Sequence, residues 1–517
     1  MRKTSRLSLL CLLVGCDPAA VPADARALQD AGVPSDAPRD AAGDAPGGAD
    51  VGPSGTELAI VYPASGHTFL ESIEVIASAP VAASTVSFFV DGEATARCVD
   101  NARPFRCLLH LDDVALGPVT LIARADALEA RVSLVRAAYD ANPCTGTAPF
   151  GDAAWGQCVR DWVTTGDAAG WTGVTYQNRD GEHAVLNVAP FPGVTSALSA
   201  NIGNASLGAD ALLSDANAIV VTNASVAYNP SDADWMSLAR HDLASHASIA
   251  SGLYRSGKMM WFPEHRDVGV TDFFPGYVPF WGVWQGSSYE GWFELSQSVL
   301  TLGAFHRDTR AALQTSRGLI AAVQMAERRG LVPNDRAYLG MAAHQTSTVD
   351  DLNGRFFLDI AHGMPADWVP PIVNLAVVEE AFTAVYEPTT MTSERYVTTP
   401  DAVLRVFTAT TAEVASMVVD VSSTTDANSR PLSFHWRVVR GDPASVEILL
   451  RSDEGARAEL RFRRPREITE SIHGRDTLSQ MTVVAVFAHN GRYFSAPAFV
   501  SVSDAADVRR WATDAND

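Results

Sequence analysis

The run VSFFVDG at residues 86–92 decides the fold class of the first folded region. Its apolar and polar residues largely alternate up to an Asp-Gly pair, which is the pattern of a half-buried strand that ends in a turn. Similar runs, such as CLLHLDD at 107–113 and GPVTLIARAD at 117–126, recur across residues 57–137. Several short strands separated by turn residues predict a β-sandwich over this region.

The phrase from Val86 to Ala125 also resembles the bacterial Ig-like domains of exported proteins. The resemblance covers roughly residues 57–137 and implies an Ig-like sandwich. It implies little about function, because this fold serves as a spacer, as an adhesion module and as a sugar-binding module.

A second β-rich region covers residues 401–505, with strand-like runs such as MTVVAVFAH at 481–489. Within it, Ser423–Val438 resembles the polycystic-kidney-disease type of Ig-like sandwich. In that family an Asp/Asn-rich turn precedes a strand with a central tryptophan, here Trp436. The aromatic-Gly-Asp ending of the family is replaced by RGDP at 440–443.

The N-terminus predicts export. Three basic residues precede an apolar core at residues 7–14, which is too short to cross a bilayer as a helix. Residues 1–15 are therefore predicted to be a secretory signal peptide. The ending LVGC at 13–16 resembles the lipobox of bacterial lipoproteins, which implies cleavage before Cys16 and lipidation of Cys16. The protein would then be anchored in the cell envelope, in either the inner or the outer membrane.

The next segment, residues 16–56, is predicted to be a disordered tether. It consists mainly of Ala, Asp, Pro, Gly and Val and has no aromatic residue. Such a composition cannot bury enough apolar surface to offset the entropy of ordering. The formal net charge of −21 disfavours nucleic acid as the main partner. Residues 506–517 are predicted to be a C-terminal tail.

The cysteines fit an oxidising compartment. Beyond the leader and Cys16, the chain has Cys98, Cys107, Cys144 and Cys158. Local disulfides, Cys98–Cys107 and Cys144–Cys158, are the most economical pairing. The closely spaced C-x-x-C pairs of a zinc site are absent from the sequence, and no metal site is predicted.

The middle region, residues 138–400, is predicted to be a mixed but mostly α-helical domain. Its helical runs include RDTRAALQTS at 307–316 and GLIAAVQMAERRG at 318–330. No catalytic signature of a zinc protease, an α/β-hydrolase, a P-loop or a dinucleotide-binding motif occurs, so no cofactor is required by any motif. The phrases FPEHRD and WQGSSYE in this region resemble exported bacterial proteins of unknown role.

The candidate site is the segment Met260–Phe293, which is rich in aromatic residues and holds several charges. Acids paired with a histidine suit general acid-base chemistry, and flat rings stack on sugar faces. The candidate catalytic residues are Glu264, His265 and Asp267. The candidate ligand-binding residues are Trp261, Arg266, Trp281, Trp284, Gln285 and Trp292. The alternative is that these rings form a core beneath a loop and that the charges pair with one another.

Two functions remain open from the sequence. The first is binding or scaffolding at the cell surface or in the periplasm, with polysaccharide or another envelope protein as the partner and the membrane reached through Cys16. The second is a hydrolase that acts on glycans or cell-wall polymers. The predicted architecture is two Ig-like sandwiches that flank the helical middle domain.

Overall fold

The computed structural model describes residues 57–139, 301–344, 356–382, 397–407, 411–452, 454–472 and 475–504, and also the backbone of five strands between residues 174 and 285. The predicted signal peptide, the tether and the C-terminal tail lie outside the described residues.

Eight strands form an N-terminal sandwich: β1 (Ala59–Tyr62), β2 (Thr68–Phe69), β3 (Ser72–Ser78), β4 (Val86–Val90), β5 (Cys98–Asp100), β6 (Phe105–His110), β7 (Gly117–Ala125) and β8 (Leu128–Arg136). One sheet has the order β1-β3-β6, and the other has the order β2-β8-β7-β4-β5. Apolar residues of both sheets pack into one core.

Burial in this sandwich follows the alternation seen in the sequence. In β6, for example, Phe105, Cys107 and Leu109 are buried while the residues between them are half-buried. Cys98 of β5 forms a disulfide with Cys107 of β6, with 6.3 Å between the two Cα atoms. The predictions of an all-β N-terminal domain and of this disulfide are confirmed.

Five strands of the middle region form one parallel sheet: β9 (Val174–Asn178), β10 (Val194–Leu198), β11 (Ile219–Asn223), β12 (Lys258–Glu264) and β13 (Trp281–Gln285). The sheet has the order β10-β9-β11-β12-β13, and every neighbouring pair is parallel. This is the strand order of a doubly wound, flavodoxin-like α/β sheet.

The prediction of a mostly helical middle domain is therefore wrong. Among the described residues, strands predominate over helices, at 43% against 17%. Parallel strands are usually covered on both faces, so their sequences lack the period-two alternation that marks a half-exposed strand. Runs such as KMMWFPE at Lys258–Glu264 therefore lack the alternation by which a strand is predicted from sequence.

The helices after the parallel sheet are α1 (Arg307–Thr315), α2 (Leu319–Gly330), α3 (Asp335–Tyr338) and α4 (Phe356–His362), with a 3₁₀ turn at Met341–His344. The helices predicted at 307–316 and 318–330 are present as α1 and α2. Every residue of α2 is buried. Asn334 caps α3, because its Oδ1 accepts a hydrogen bond from the amide of Ala337 at 2.9 Å. Among the described residues, no helix combines the length and apolarity needed to cross a bilayer.

The C-terminal sandwich contains β14 (Ala376–Glu380), β15 (Val397–Thr398), β16 (Ala402–Phe407), β17 (Val414–Asp420), β18 (Ser433–Arg440), β19 (Val446–Leu450), β20 (Arg457–Arg463), a hairpin of β21 (Ile468–Ile472) and β22 (Arg475–Ser479), and then β23 (Met481–His489) and β24 (Ala498–Asp504), with a 3₁₀ turn at Pro443–Ser445. Its sheets have the orders β14-β17-β20-β19 and β15-β16-β24-β23-β18. The prediction of a second all-β domain is confirmed.

Two buried polar contacts fix the interior of the C-terminal sandwich. The indole Nε1–H of Trp436 donates to the carbonyl of Gly455 at 2.8 Å. The Arg405 guanidinium, 1% exposed, forms a two-pronged ion pair with Glu380 at 2.6 and 3.1 Å. Because Glu380 lies on β14 and Arg405 on β16, this pair connects the two sheets.

Candidate functional site

The candidate site is the edge of the parallel sheet at which its strands end. In doubly wound sheets, ligands bind in the crevice outside the carboxyl ends of the strands, at the point where the chain reverses its direction across the sheet. Here that point lies between β9 and β11, because the chain leaves β9 for β10 on one side and returns to β11 on the other.

Four of the five strands end in a residue with a carboxamide or a carboxylate. These residues are Asn178 of β9, Asn223 of β11, Glu264 of β12 and Gln285 of β13. The fifth strand, β10, ends in Leu198. Residues with carboxamide groups, which donate and accept hydrogen bonds, and one residue with a carboxylate, which accepts them, thus end the strands at one edge of the sheet.

The strand register makes this edge stepped. Asn178 is in register with Asn223, and Asn223 is in register with Trp261. Strand β12 continues beyond Trp261 to Glu264, which is in register with Gln285. Three further residues of strand add about 10 Å at ~3.3 Å per residue. At this edge, β12 and β13 therefore extend further along the strand direction than β9 and β11 do.

The register also sorts the predicted site residues between the two faces of the sheet. Because successive positions of a strand alternate in face, Glu264, Gln285 and Trp281 belong to one face, while Trp261 and Trp284 belong to the other. The structure thus brings Glu264 and Gln285 together at neighbouring strand ends. It divides the three tryptophans of β12 and β13 between opposite faces.

Several predicted residues lie outside the described residues. His265, Arg266 and Asp267 directly follow the last residue of β12 in the sequence, and Trp292 follows β13. Cys16, Cys144 and Cys158 also lie outside the described residues.

Sequence reasoning missed Asn178 and Asn223. Each closes a short run with β-branched residues, VTYQN and IVVTN, so the available signal was an amide at the end of a strand. That signal becomes informative only when the two strands are known to be parallel neighbours. In the part of the chain that the structure describes, no group of three or more His, Cys, Asp or Glu residues is arranged to hold a metal ion.

No protein-family model matches this chain, and no curated protein matches it. Among solved structures, the fibronectin(III)-like modules of CbhA from Clostridium thermocellum are 21% identical, with a TM-score of 0.13 over 15% of this chain and 94% of the other. Two structures of Bacteroides fragilis are each 8% identical with TM-scores of 0.12. One is a putative α-galactosidase, covering 78% of this chain and 97% of the other. The second is a putative α-galactosidase/melibiase, covering 80% and 100%. TM-scores at this level carry no argument about fold or function.

The residue types at this edge of the sheet indicate the class of ligand that it can bind. Carboxamides and a carboxylate at neighbouring strand ends suit a ligand that offers hydroxyl groups, because a hydroxyl both donates and accepts hydrogen bonds. Of the five strand-terminal residues described, Glu264 alone carries a carboxyl group. The described edge thus has the donor and acceptor types of a binding site for a neutral polar ligand.

Proposed function

We propose that this protein is a lipid-anchored protein of the cell envelope that binds a saccharide at the carboxyl edge of its parallel sheet. The observation that carries the proposal is the register that places Asn178 beside Asn223 and Glu264 beside Gln285 at the ends of parallel strands. Asn178 and Asn223 flank the reversal of strand order, which is where doubly wound sheets bind their ligands.

The charge of the protein favours a neutral ligand. The chain carries 60 Asp and Glu residues against 39 Lys and Arg residues. A strongly acidic protein repels anionic polymers over the range of electrostatic screening. A neutral glycan has no such penalty, and its hydroxyl groups match the amides at the strand ends.

Export and anchoring are supported by two features. The lipobox-like sequence LVGC at 13–16 supports lipidation of Cys16. The disulfide Cys98–Cys107 supports an oxidising compartment, since such bonds are rare in the cytosol. The two sandwiches would then act as modules that hold the α/β domain away from the membrane, the second of them of the polycystic-kidney-disease type.

Hydrolysis of the bound glycan is the second candidate, favoured by the position of Glu264 at the end of β12. Glycoside hydrolysis ordinarily requires a second carboxyl group across the scissile bond. Asp267, three residues further along the chain, is the proposed second carboxyl group, with His265 between the two acids.

The test of binding is calorimetric titration of the full chain with soluble glucan, galactan and chitin oligosaccharides and with solubilised peptidoglycan. The expected result is that at least one saccharide binds, and that Asn223→Ala weakens its binding at least tenfold. Asn101→Ala, an exposed asparagine of the N-terminal sandwich, is the matched control and should leave binding unchanged. Failure of every saccharide to bind, or equal binding by the Asn223→Ala variant, would overturn the proposal.

The test of hydrolysis is the release of reducing ends from the saccharide that binds. The expected result for an enzyme is that Glu264→Gln abolishes the release while the variant still binds. Binding without any release by the wild-type protein would leave the binding function and remove the hydrolase.

A further inference from the structure

The two sandwiches have separate hydrophobic cores among the described residues. One core contains residues between Leu58 and Leu134, and the other contains residues between Val373 and Val502. Neither core includes a residue of the other sandwich. The contacts between the sandwiches form an interface separate from either core, and domains move relative to each other across such an interface unless it is large and hydrophobic.

The first group of contacts joins the N-terminal sandwich to α2 and α3. The guanidinium of Arg329 pairs with Glu71 at 2.5 Å and with Asp335 at 3.1 Å. The amide of Asp335 donates to Glu71 Oε2 at 2.9 Å. The side chain of Asn334 donates to Asp112 at 2.9 Å. All of these contacts are hydrogen bonds or ion pairs.

Helix α3 in turn belongs with the C-terminal sandwich. The hydroxyl of Tyr338 donates to the carbonyl of Ser495 at 2.9 Å. The Tyr338 ring also lies edge-on to Phe487 of β23, with 5.5 Å between centroids. We call the surface between the N-terminal sandwich on one side and α3 with the C-terminal sandwich on the other "the junction".

The second group of contacts joins the sandwiches directly. Glu74 of β3, 3% exposed, pairs with His435 Nε2 of β18 at 3.2 Å. Arg106 of β6 also pairs with Glu74, at 3.4 Å. At another point, an imidazole nitrogen of His67 lies 3.2 Å from the carbonyl of Gly491 and therefore donates to it.

Burial lowers the pKa of three histidines at the junction. Burial, followed by the cation of Arg336, lowers the pKa of His110 to about 4. Burial lowers the pKa of His489 to about 3. Burial also lowers the pKa of His67, outweighing the opposing effect of its hydrogen bond to Gly491.

The charged and titratable groups that face these histidines come from both sides of the junction. Those facing His110 are Arg336, Asp112, His435 and Arg437; those facing His67 are Arg430 and Arg492; those facing His489 are His435, Glu74, His67 and His110. Cations and histidines predominate in these sets. A proton added to His67 or His110 therefore meets repulsion from the C-terminal sandwich and α3.

The carboxylates of the junction respond to acid in both directions. Burial acts to raise the pKa of Glu74, but His435, Arg106 and Ser433 hold it below its usual value. Ionised Glu74 therefore stabilises the closed junction, and this stabilisation is lost as the pH falls through the lowered pKa. Burial raises the pKa of Glu71 and of Asp335, so these two groups favour the closed junction in acid.

We infer that the junction is an acid-operated latch, in which protonation of His67 and His110 separates the N-terminal sandwich from the rest of the protein while each sandwich keeps its fold. Each sandwich can persist alone because each has its own core. Opening exposes both histidines to water and moves them away from Arg336, Arg430 and Arg492.

The expected pH dependence of junction opening follows from the linkage between histidine protonation and opening. A histidine that is neutral when closed and free to protonate when open favours the closed form above about pH 6.5. That preference is lost as the pH falls toward the lowered pKa. Across this window each such histidine raises the ratio of open to closed forms about tenfold per pH unit, and protonation of Glu71 and Asp335 in the closed form opposes this rise.

The test is amide hydrogen exchange of the full chain between pH 7.5 and 4.5, read at single residues and corrected for the intrinsic rate. The Asp335 amide is the reporter. It belongs to the first residue of α3, so it has no partner within the helix, and it donates to Glu71 across the junction. The amides of Leu121 in β7 and Val484 in β23 report on the two sandwich interiors. The expected result is that protection of Asp335 falls below about pH 6 while Leu121 and Val484 stay protected.

Two variants test the assignment to histidines. His110→Gln should make the protection of the Asp335 amide depend less steeply on pH, by about a factor of ten per pH unit, because one titrating group is removed. His344→Gln is the control: burial lowers the pKa of His344 to about 3 as well, but its contacts with the Tyr338 carbonyl of α3 and with Phe487 of β23 both lie on one side of the junction. The control should leave the steepness unchanged.

Three outcomes would overturn the latch. They are unchanged Asp335 protection down to pH 4.5, simultaneous loss of protection at all three amides, and equal steepness in the wild type and His110→Gln.

Discussion

The ion pair between Glu380 and Arg405 offers a sharp test of what holds the C-terminal sandwich together. Arg405 is buried and Glu380 is mostly buried, and the two contacts of the pair measure 2.6 and 3.1 Å. Arg405 also donates to the carbonyl of Leu404 and the hydroxyl of Thr398. Glu380→Gln removes the negative charge and leaves the arginine cation in place. Breaking a buried ion pair in this way destabilises proteins by about 3–5 kcal/mol.

We expect about 3 kcal/mol for Glu380→Gln, the lower end of that range. The reason is that glutamine keeps one acceptor oxygen and that 17% of the Glu380 side chain reaches solvent. The adjacent residue provides the control. Glu379 is 73% exposed, and its carboxylate lies 3.8 Å from the guanidinium of Arg457. Glu379→Gln should therefore change the free energy of unfolding by less than about 0.5 kcal/mol.

The assay is urea unfolding followed by circular dichroism, with the free-energy change taken from the shift in midpoint at a common slope. Adding 1 M NaCl should leave the difference between the variants unchanged, because a buried pair is screened much less than an exposed one. Equal stability of the two variants, or a loss below about 1 kcal/mol for Glu380→Gln, would refute the view that this pair stabilises the contact between the sheets.

Three further predictions concern single positions. Gly441→Ala should destabilise by about 3 kcal/mol in the same assay, because the backbone has φ +83° and the new Cβ would overlap the Met481 carbonyl oxygen; unchanged stability would contradict the described turn. Replacing both Cys98 and Cys107 by alanine should lower the stability of the N-terminal sandwich by about 2.5 kcal/mol, the loop-closure value for a separation of 9 residues, and an unchanged melting temperature would contradict it. Cys16→Ser should leave a precursor that takes up no labelled fatty acid; normal acylation would disprove the anchor.

The N-terminal sandwich could be predicted from the sequence because strands such as β6 have one face that is only partly buried. In β6 the buried positions Phe105, Cys107 and Leu109 alternate with half-buried ones, which is the pattern that the sequence shows. The disulfide between Cys98 and Cys107 followed from the short separation of the two residues. Local pattern and local spacing were sufficient in both cases.

The parallel sheet was not accessible in this way. In β12 the run KMMWFPE lacks alternation and contains Pro263, which argued for an irregular segment. The register explains why the proline is accommodated. Among the described residues, β11 pairs with β12 as far as Trp261, and Pro263 pairs with Trp284 of β13. A proline is tolerated where a strand loses one of its neighbours.

The candidate site was half accessible. The clustering of aromatic and charged residues drew attention to Glu264 and Gln285, which lie together at neighbouring strand ends. Asn178 and Asn223 are separated from them in sequence and belong to no local motif. Their relation depends on which strands are neighbours, and that is decided by packing across the whole domain.

The strand pairing of the two sandwiches also sets the order in which the chain can fold. All eight strands of the first sandwich lie within one uninterrupted stretch, so it can close as soon as that stretch has emerged during synthesis or translocation. In the second, β16 pairs in parallel with β24, the last strand of the described chain. Contacts between distant residues form slowly, and domains generally fold from the N-terminus as the chain appears. The N-terminal sandwich should therefore already be folded at a stage when β24 has not yet emerged and β16 lacks this pairing partner.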